Sequence, residues 1–138
     1  MSSGRLTIYT DGAARGNPGP AGAGAHIQDE DGNTVSEDFR YLGEATNNVA
    51  EYEALLLGME RAHELGAVRI EMRADSQLVV RQVCGEYRVR NPVLQGLHAR
   101  VLALESKFES VEYTHVPREQ NRDADRLANR AIDRSGRA

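Results

Sequence analysis

Apolar and polar positions alternate with a period of two in some stretches of this chain and with a period of three to four in others; the changes of period mark out its elements. The run Leu6-Thr7-Ile8-Tyr9-Thr10 is apolar and β-branched with no breaker, which predicts an interior strand over residues 5–11 ending on Asp11. The cluster Gly16-Asn17-Pro18-Gly19-Pro20 predicts a turn or loop, because proline lacks an N–H donor and glycine opens dihedrals closed to other residues. A second strand is expected from Gly22 to Asp29, a hairpin turn at Asp31-Gly32, and a return strand from Thr34 to Leu42. With Asn48 as N-cap and Gly66 as the stop, a long helix is expected to run to Leu65, its stripe of Leu55, Gly58, Ala62 and Leu65 facing the sheet. Val68, Ile70, Met72 and Ala74 then alternate with Arg69, Glu71, Arg73 and Asp75, predicting a fourth strand that also ends on an aspartate, followed at once by a short helix from Ser76 to Val83. Beyond Gly85, Asn91 as cap and Pro92 as first helical residue introduce a helix with Leu94, Leu97, Val101, Leu104 and Phe108 on one face. Val111 to Val116 reads as a fifth strand, residues 117–120 as a loop, and Asn121 to Arg134 as a last helix.

The order β-β-β-α-β-α-α-β-α places the chain in the α/β class with a mixed sheet. In a meander of three strands the first and third are parallel, and helical crossovers add the fourth and fifth parallel to the first. The carboxyl ends of the parallel strands then share one edge, where sites in open α/β sheets lie. Asp11 and Asp75 end two of those strands, while Glu51 and Asp125 stand in the opening turns of helices that leave the same edge.

Composition narrows the classes. A chain of 138 residues is expected to form one domain with flexible ends at about 1–4 and 135–138. It has no apolar run of membrane-spanning length, and Met1-Ser2-Ser3-Gly4 lacks the basic and apolar regions of a leader, so a soluble, cytoplasmic monomer is expected, with no membrane partner. The single cysteine, Cys84, makes no internal disulfide and is expected to be a buried structural thiol beside Val80 and Val83. A net charge of −4 argues against non-specific nucleic-acid binding, although Lys107 is the only lysine and arginine is the better bidentate partner for phosphate.

Each of the four acids has a simpler explanation. Asp11 before Gly12 suits a turn, Glu51 a capping box with Asn48, Asp75 a helix cap, and Asp125 a first helical turn where the macrodipole favours any acid. Yet at about 100° per residue Glu51 falls on the apolar stripe of its helix, and a carboxylate buried there needs a partner. Four carboxylates brought to one edge also raise one another's pKa values unless a cation neutralises them. Oxygen-only ligands favour a hard ion, Mg2+ or Mn2+, over zinc.

The motifs Asp11-Gly12-Ala13-Ala14-Arg15-Gly16-Asn17-Pro18-Gly19-Pro20, Thr46-Asn47-Asn48 with Glu51, Asp75-Ser76-Gln77 with Arg81-Gln82, and Asn121-Arg122-Asp123-Ala124-Asp125 with Leu127-Ala128 together resemble the type 1 ribonucleases H, in that family's order and across nearly the whole chain. The resemblance implies a ribonuclease H-like fold, with a five-stranded mixed sheet of order 3-2-1-4-5 flanked by helices. It implies an endonuclease that hydrolyses the RNA strand of RNA–DNA hybrids, leaving 5′-phosphate and 3′-hydroxyl ends, with two divalent ions, Mg2+ or Mn2+, on Asp11, Glu51, Asp75 and Asp125. It further implies that Glu51, Asn47, Gln77 and the backbone of Gly12 and Ala14 read the 2′-hydroxyl, a group both donor and acceptor, and that Asn17 and Thr46 contact the substrate backbone.

The sequence departs from the family's pattern in two places. Family members with a basic helix and loop grip the hybrid there, whereas the connection from Gly85 to Asn91 is short and tryptophan is absent; Arg81, Arg88 and Arg90 are candidates to substitute. The histidine that assists catalysis in many relatives is matched in spacing by His115, at the end of the fifth strand, while Arg118 stands in the loop itself, so either is a candidate. Two competing classes remain: a ribonuclease H-like module that binds nucleic acid without cutting it, and a doubly wound phosphate binder using Gly12 to Gly19. The latter lacks a Gly-Lys-Ser/Thr ending, and a meander follows where a βαβ unit is needed.

Overall fold

The computed structural model describes residues 4–135, and apart from Gly4 and Ser135 the expected flexible ends lie outside the described residues. Five strands, β1 (Arg5–Ala14), β2 (Gly19–Gln28), β3 (Thr34–Ala45), β4 (Arg69–Ala74) and β5 (Ser110–His115), form one sheet of order β3-β2-β1-β4-β5. The first three pair antiparallel, and β1/β4 and β4/β5 pair parallel, as the crossover rule requires. The helices among the described residues are α1 (Asn47–Glu64), α2 (Gln77–Val83), α3 (Pro92–Glu105) and α4 (Arg122–Arg134), with a 3₁₀ turn at Arg118–Gln120. The mixed sheet with order 3-2-1-4-5 is thus the one expected.

Alternation along β2 explains the layering. Ala23, Ala25 and Ile27 enter the same buried cluster as Ile8, Ile70, Met72 and the α1 residues Tyr52, Leu55, Leu56 and Met59. Gly22 and Gly24, between them, turn the other way, and α4 lies there against β1, β2 and β3. Within α1, Gly58 admits the β1 side chains: a Cβ on it would stand 2.7 Å from Ile8 Cγ2. α3 buries Leu94, Leu97 and Val101 against the same cluster.

Several boundaries differ from the sequence expectation. β1 continues past Asp11 to Ala14 and β2 begins at Gly19, because the two strands keep pairing through Asp11↔Gly24 to Ala14↔Ala21. α1 is capped by Thr46, not Asn48: the Thr46 hydroxyl accepts from the Val49 N–H at 3.2 Å. Leu65, at the C-terminal end of the predicted stripe, is 40% exposed, since it caps the helix instead of facing the sheet. Phe108 is buried but lies beyond α3. Cys84 is exposed, because α2 ends at Val83 and the chain turns outward.

Candidate active site

Two glycines decide where the acids stand. At Gly12 a Cβ would lie 2.2 Å from the Ala50 carbonyl carbon and 2.3 Å from the Glu51 nitrogen, so only glycine lets the first turn of α1 rest directly on β1. The Gly12 N–H consequently donates to Glu51 Oε1 at 2.6 Å. That bond replaces the capping-box role, which α1 leaves to Thr46. At Gly24, opposite Asp11 in the β1/β2 register, a Cβ would lie 2.4 Å from the Ala124 carbonyl oxygen. The opening of α4 therefore lies over the Asp11–Gly24 rung, and the exposed Asp125 comes within hydrogen-bonding reach of Asp11. Asp75 follows the last residue of β4 and does not cap α2; the Ser76 hydroxyl does, accepting from the Val79 N–H at 3.3 Å.

The pairing of β1 with β4 stops at Thr10↔Ala74, one residue before both aspartates. As a result Asp11 and Asp75 project from adjacent strands at the same level, and α1 brings Glu51 against them. One carboxylate oxygen from each of Asp11, Glu51 and Asp75 lies within 4.8 Å of the others. Asp11 and Glu51 are buried, at 7% and 4% exposure, while Asp75 is half-buried. Burial first, and then the Glu51 and Asp75 charges, push the Asp11 carboxyl up to about 11. Burial pushes Glu51 up to about 7, although hydrogen bonds from Asp11 and the Gly12 N–H hold it down. Without a cation the two acids thus retain a proton between them at neutral pH. A divalent ion would supply the missing positive charge, and the all-oxygen donor set fits Mg2+ or Mn2+. The acids line a cleft of about 290 Å3 together with Gly12, Ala13, Ala14, Asn47, Ser76 and Arg118.

The other predicted residues separate into three places. Ala14, Asn47 and Arg118 line the carboxylate cleft, and the Arg118 charge acts on Glu51. His115 does not line it; its ring Nε2 is 3.2 Å from the Asp75 backbone oxygen. Gln77 opens α2, exposed, next to the cleft residue Ser76. Asn17 and Thr46, with Asn47, Asn48, Val49, Asn91, Val93 and Leu94, line a neighbouring groove of about 460 Å3. Asn17 Oδ1 accepts from the Asn47 N–H, Thr46 Oγ1 from Val49, and Asn91 Oδ1 from Val93 and Leu94. Each spends its side-chain oxygen within the protein, which leaves amide and hydroxyl donors for a ligand. In the third place, Arg81 packs over the Tyr87 ring at 5.3 Å and donates to its hydroxyl at 3.1 Å, beside the exposed Arg88 and Arg90.

Asn91, Tyr87 and Asn121 belong to these surroundings although their residue type singled out none of them. Asn91 reads in sequence only as a cap, and Tyr87 as an isolated aromatic in a short connection. Asn121, at the head of α4, is buried at 1% exposure.

A family model described as reverse transcriptase-like matches residues 9–131. The bifunctional protein Rv2228c of Mycobacterium tuberculosis is 46% identical over 130 residues, which cover 94% of this chain and 36% of that protein. Ribonuclease HI of Halobacterium salinarum is 45% identical over 130 residues, covering 94% of this chain and 65% of that protein. This chain therefore spans about a third of the mycobacterial protein and somewhat under two thirds of the archaeal one. The crystal structure of RNase H1 from Halobacterium salinarum superposes with a TM-score of 0.92 at 45% identity, over 94% of this chain and 98% of that one. LC11-RNase H1, solved in complex with an RNA/DNA hybrid, superposes at 0.90 with 46% identity over the same shares. Likeness of this extent, in sequence and in backbone together, agrees with the four motifs quoted above: the chain belongs to the type 1 ribonuclease H family.

Proposed function

We propose that this chain is a single-domain endonuclease that hydrolyses the RNA strand of RNA–DNA hybrids with two divalent ions, Mg2+ or Mn2+, leaving 5′-phosphate and 3′-hydroxyl ends. The observation that carries the proposal is the crowding of the Asp11, Glu51 and Asp75 carboxylates within 4.8 Å, with Asp125 beside them, at an edge where they repel unless neutralised. Bound there, the ions would supply Lewis-acid activation of water and charge stabilisation of the departing oxygen. The chain's own residues do the rest. Asp11 and Glu51 would give up their shared proton on loading and then serve as acceptor-only ligands. The Gly12 N–H holds Glu51 Oε1 at 2.6 Å, which fixes that ligand's rotamer and leaves Oε2 for the ion or the substrate. Because this N–H is engaged, Gly12 meets the 2′-hydroxyl through its carbonyl.

Asn47 lines both the cleft and the neighbouring groove, and together with Gln77 is suited to reading the 2′-hydroxyl. The uncharged donors of Asn17, Thr46 and Asn91 suit substrate phosphate oxygens in that groove. Arg81, stacked on Tyr87, with Arg88 and Arg90, takes the place of the family's basic element. Arg118, or His115 through the loop it begins, assists at the reacting phosphate. A relative of 46% identity solved on an RNA/DNA hybrid supports this substrate class.

Incubating purified protein with end-labelled RNA–DNA hybrid, with and without Mg2+ or Mn2+, beside Asp11→Asn tests the proposal. Metal-dependent cleavage of the RNA strand, lost in the variant, is expected. Hybrid binding without cleavage under any metal condition overturns it in favour of a binding module.

A further inference from the structure

Asn121 does not line the carboxylate cleft, yet its amide reaches both Thr10, beside Asp11 on β1, and Asp75, just past β4. Its Nδ2 donates to the Thr10 backbone carbonyl at 2.9 Å and to Asp75 Oδ2 at 3.4 Å. Thr10 is the last residue of β1 paired with β4, so the Asn121 amide continues the β1/β4 seam by one side-chain rung at the level where backbone pairing ends. The orientation of the amide is forced. Both neighbours are acceptors, so the NH2 group must face them and Oδ1 must face away. Oδ1 has no partner among the described residues, and Asn121 lines a small polar cavity of about 110 Å3 with Tyr9, His26, Gln28, Gln120 and Asp123. That cavity is polar and roomy enough for water to satisfy Oδ1. A flipped amide would set its oxygen against the Thr10 carbonyl and the Asp75 carboxylate, and bury two donors away from both acceptors.

We propose that Asn121 is a positioning residue for the metal centre: its amide ties one oxygen of Asp75 to the end of β1, so that Asp75 stands beside Asp11 and Glu51 in one rotamer. The role rests on the metal-dependent function proposed above. Asn121 accepts no N–H of its own helix through its side chain, and so is not there as a cap. The bond to Asp75 is the longer of the two, and removal of such a partner of a metal-ligating carboxylate weakens metal affinity by about 10–100-fold, with the lower end expected here.

The test is a Mn2+ titration of metal-free protein followed by the rise in thermal midpoint, which needs no substrate. Asn121→Ala should raise the half-saturating Mn2+ concentration about tenfold in the otherwise native chain, yet change it less than twofold in an Asp75→Ala background. Asn121→Ser, with one donor for two acceptors and only a small loss of volume, should shift the midpoint in the same direction and guards against failure of the alanine variant to fold. Equal shifts with and without Asp75, or a wild-type midpoint in both Asn121 variants, overturn the proposal. Protein that binds Mn2+ with the expected Asn121 dependence but leaves hybrid intact overturns the proposed activity and supports the positioning role. Protein that cuts hybrid while Asn121→Ala and Asn121→Ser bind Mn2+ as the wild type does overturns the positioning role alone.

Discussion

Asp11 concentrates the electrostatics of the site, and its behaviour without metal can be predicted with a definite sign. Its folded carboxyl is pushed from the ordinary carboxylate range up to about 11 by burial and by Glu51. Between those values the folded protein holds a proton that the unfolded chain has released, so the stability of metal-free protein falls as pH rises. Glu51 adds to the same trend between its ordinary value and about 7. Calorimetry in chelator should show the unfolding temperature declining from pH 5 to pH 9, more shallowly in Asp11→Asn. At pH 8 that variant should melt about 3–8 °C higher than the wild type, a shift on the order of 1–2 kcal/mol for a domain of this size. A wild-type curve that rises with pH would contradict the burial of a shared proton. The same scale separates His115 from Arg118. Arg118 lines the cleft, whereas His115 lies outside its lining, with its ring Nε2 3.2 Å from the Asp75 backbone oxygen. Steady-state kinetics should therefore find kcat about tenfold or more lower in Arg118→Ala, with KM within twofold, and a smaller loss in His115→Ala.

At the scale of elements, the site depends on how closely two helices approach the sheet. Gly24→Ala would push a Cβ to 2.4 Å from the Ala124 oxygen, and α4 must move to admit it. Overpacking of this kind costs about 1–3 kcal/mol, so a lower melting temperature is expected. Cleavage should also fall at temperatures where the variant is fully folded, because Asp125 moves with α4. This dependence was not legible in the sequence. Periodicity located every strand and helix, and the crossover rule set their order, but a glycine within a strand pattern looks the same whether or not a helix backbone lies on it. Three of the four acids were legible by their place at strand ends or on an apolar stripe. Asp125 was less so, and it is indeed the exposed one. Thr46-Asn47-Asn48 offers three capping side chains in succession, and the choice of Thr46 depends on how α1 meets β1, which no local pattern records. Cys84 was misplaced because valines on either side of it suggested burial, while the end of α2 turns it to solvent. Asn121 heads one of the four motifs, but its contacts were not legible there, since its partners are 111 and 46 residues distant in the chain.

At the scale of the whole molecule, the proposed substrate is a polyanion, while the chain itself carries a net charge of −4. Part of its positive charge is spent within the protein: Arg5 and Arg73 on Glu71, Arg61 on Asp38, Arg15 on Asp133, and Arg126 on Glu37. Arg88 and Arg90 are exposed on the connection before α3, near the amide-lined groove that Asn91 shares. Replacing both with alanine should raise KM for hybrid about three- to tenfold and make the slope of log KM against log salt shallower by about 2, with kcat little changed. An unchanged KM across salt concentrations would remove these arginines from the substrate surface.

The bare Cα positions at Gly12 and Gly24 have one more consequence. Backbone in direct van der Waals contact with backbone is nearly incompressible, and nothing at those two seams can slide apart without breaking the sheet or unseating a helix. Like charges elsewhere on a protein relieve their repulsion by swinging apart on flexible stems. Here the frame keeps Asp11, Glu51 and Asp125 from spreading, so the crowding that the retained proton does not relieve persists as a free-energy reservoir in the resting protein. A cation bound as proposed would discharge it, and part of the affinity for metal would thereby be supplied by the rigidity of two contacts that never touch the ion.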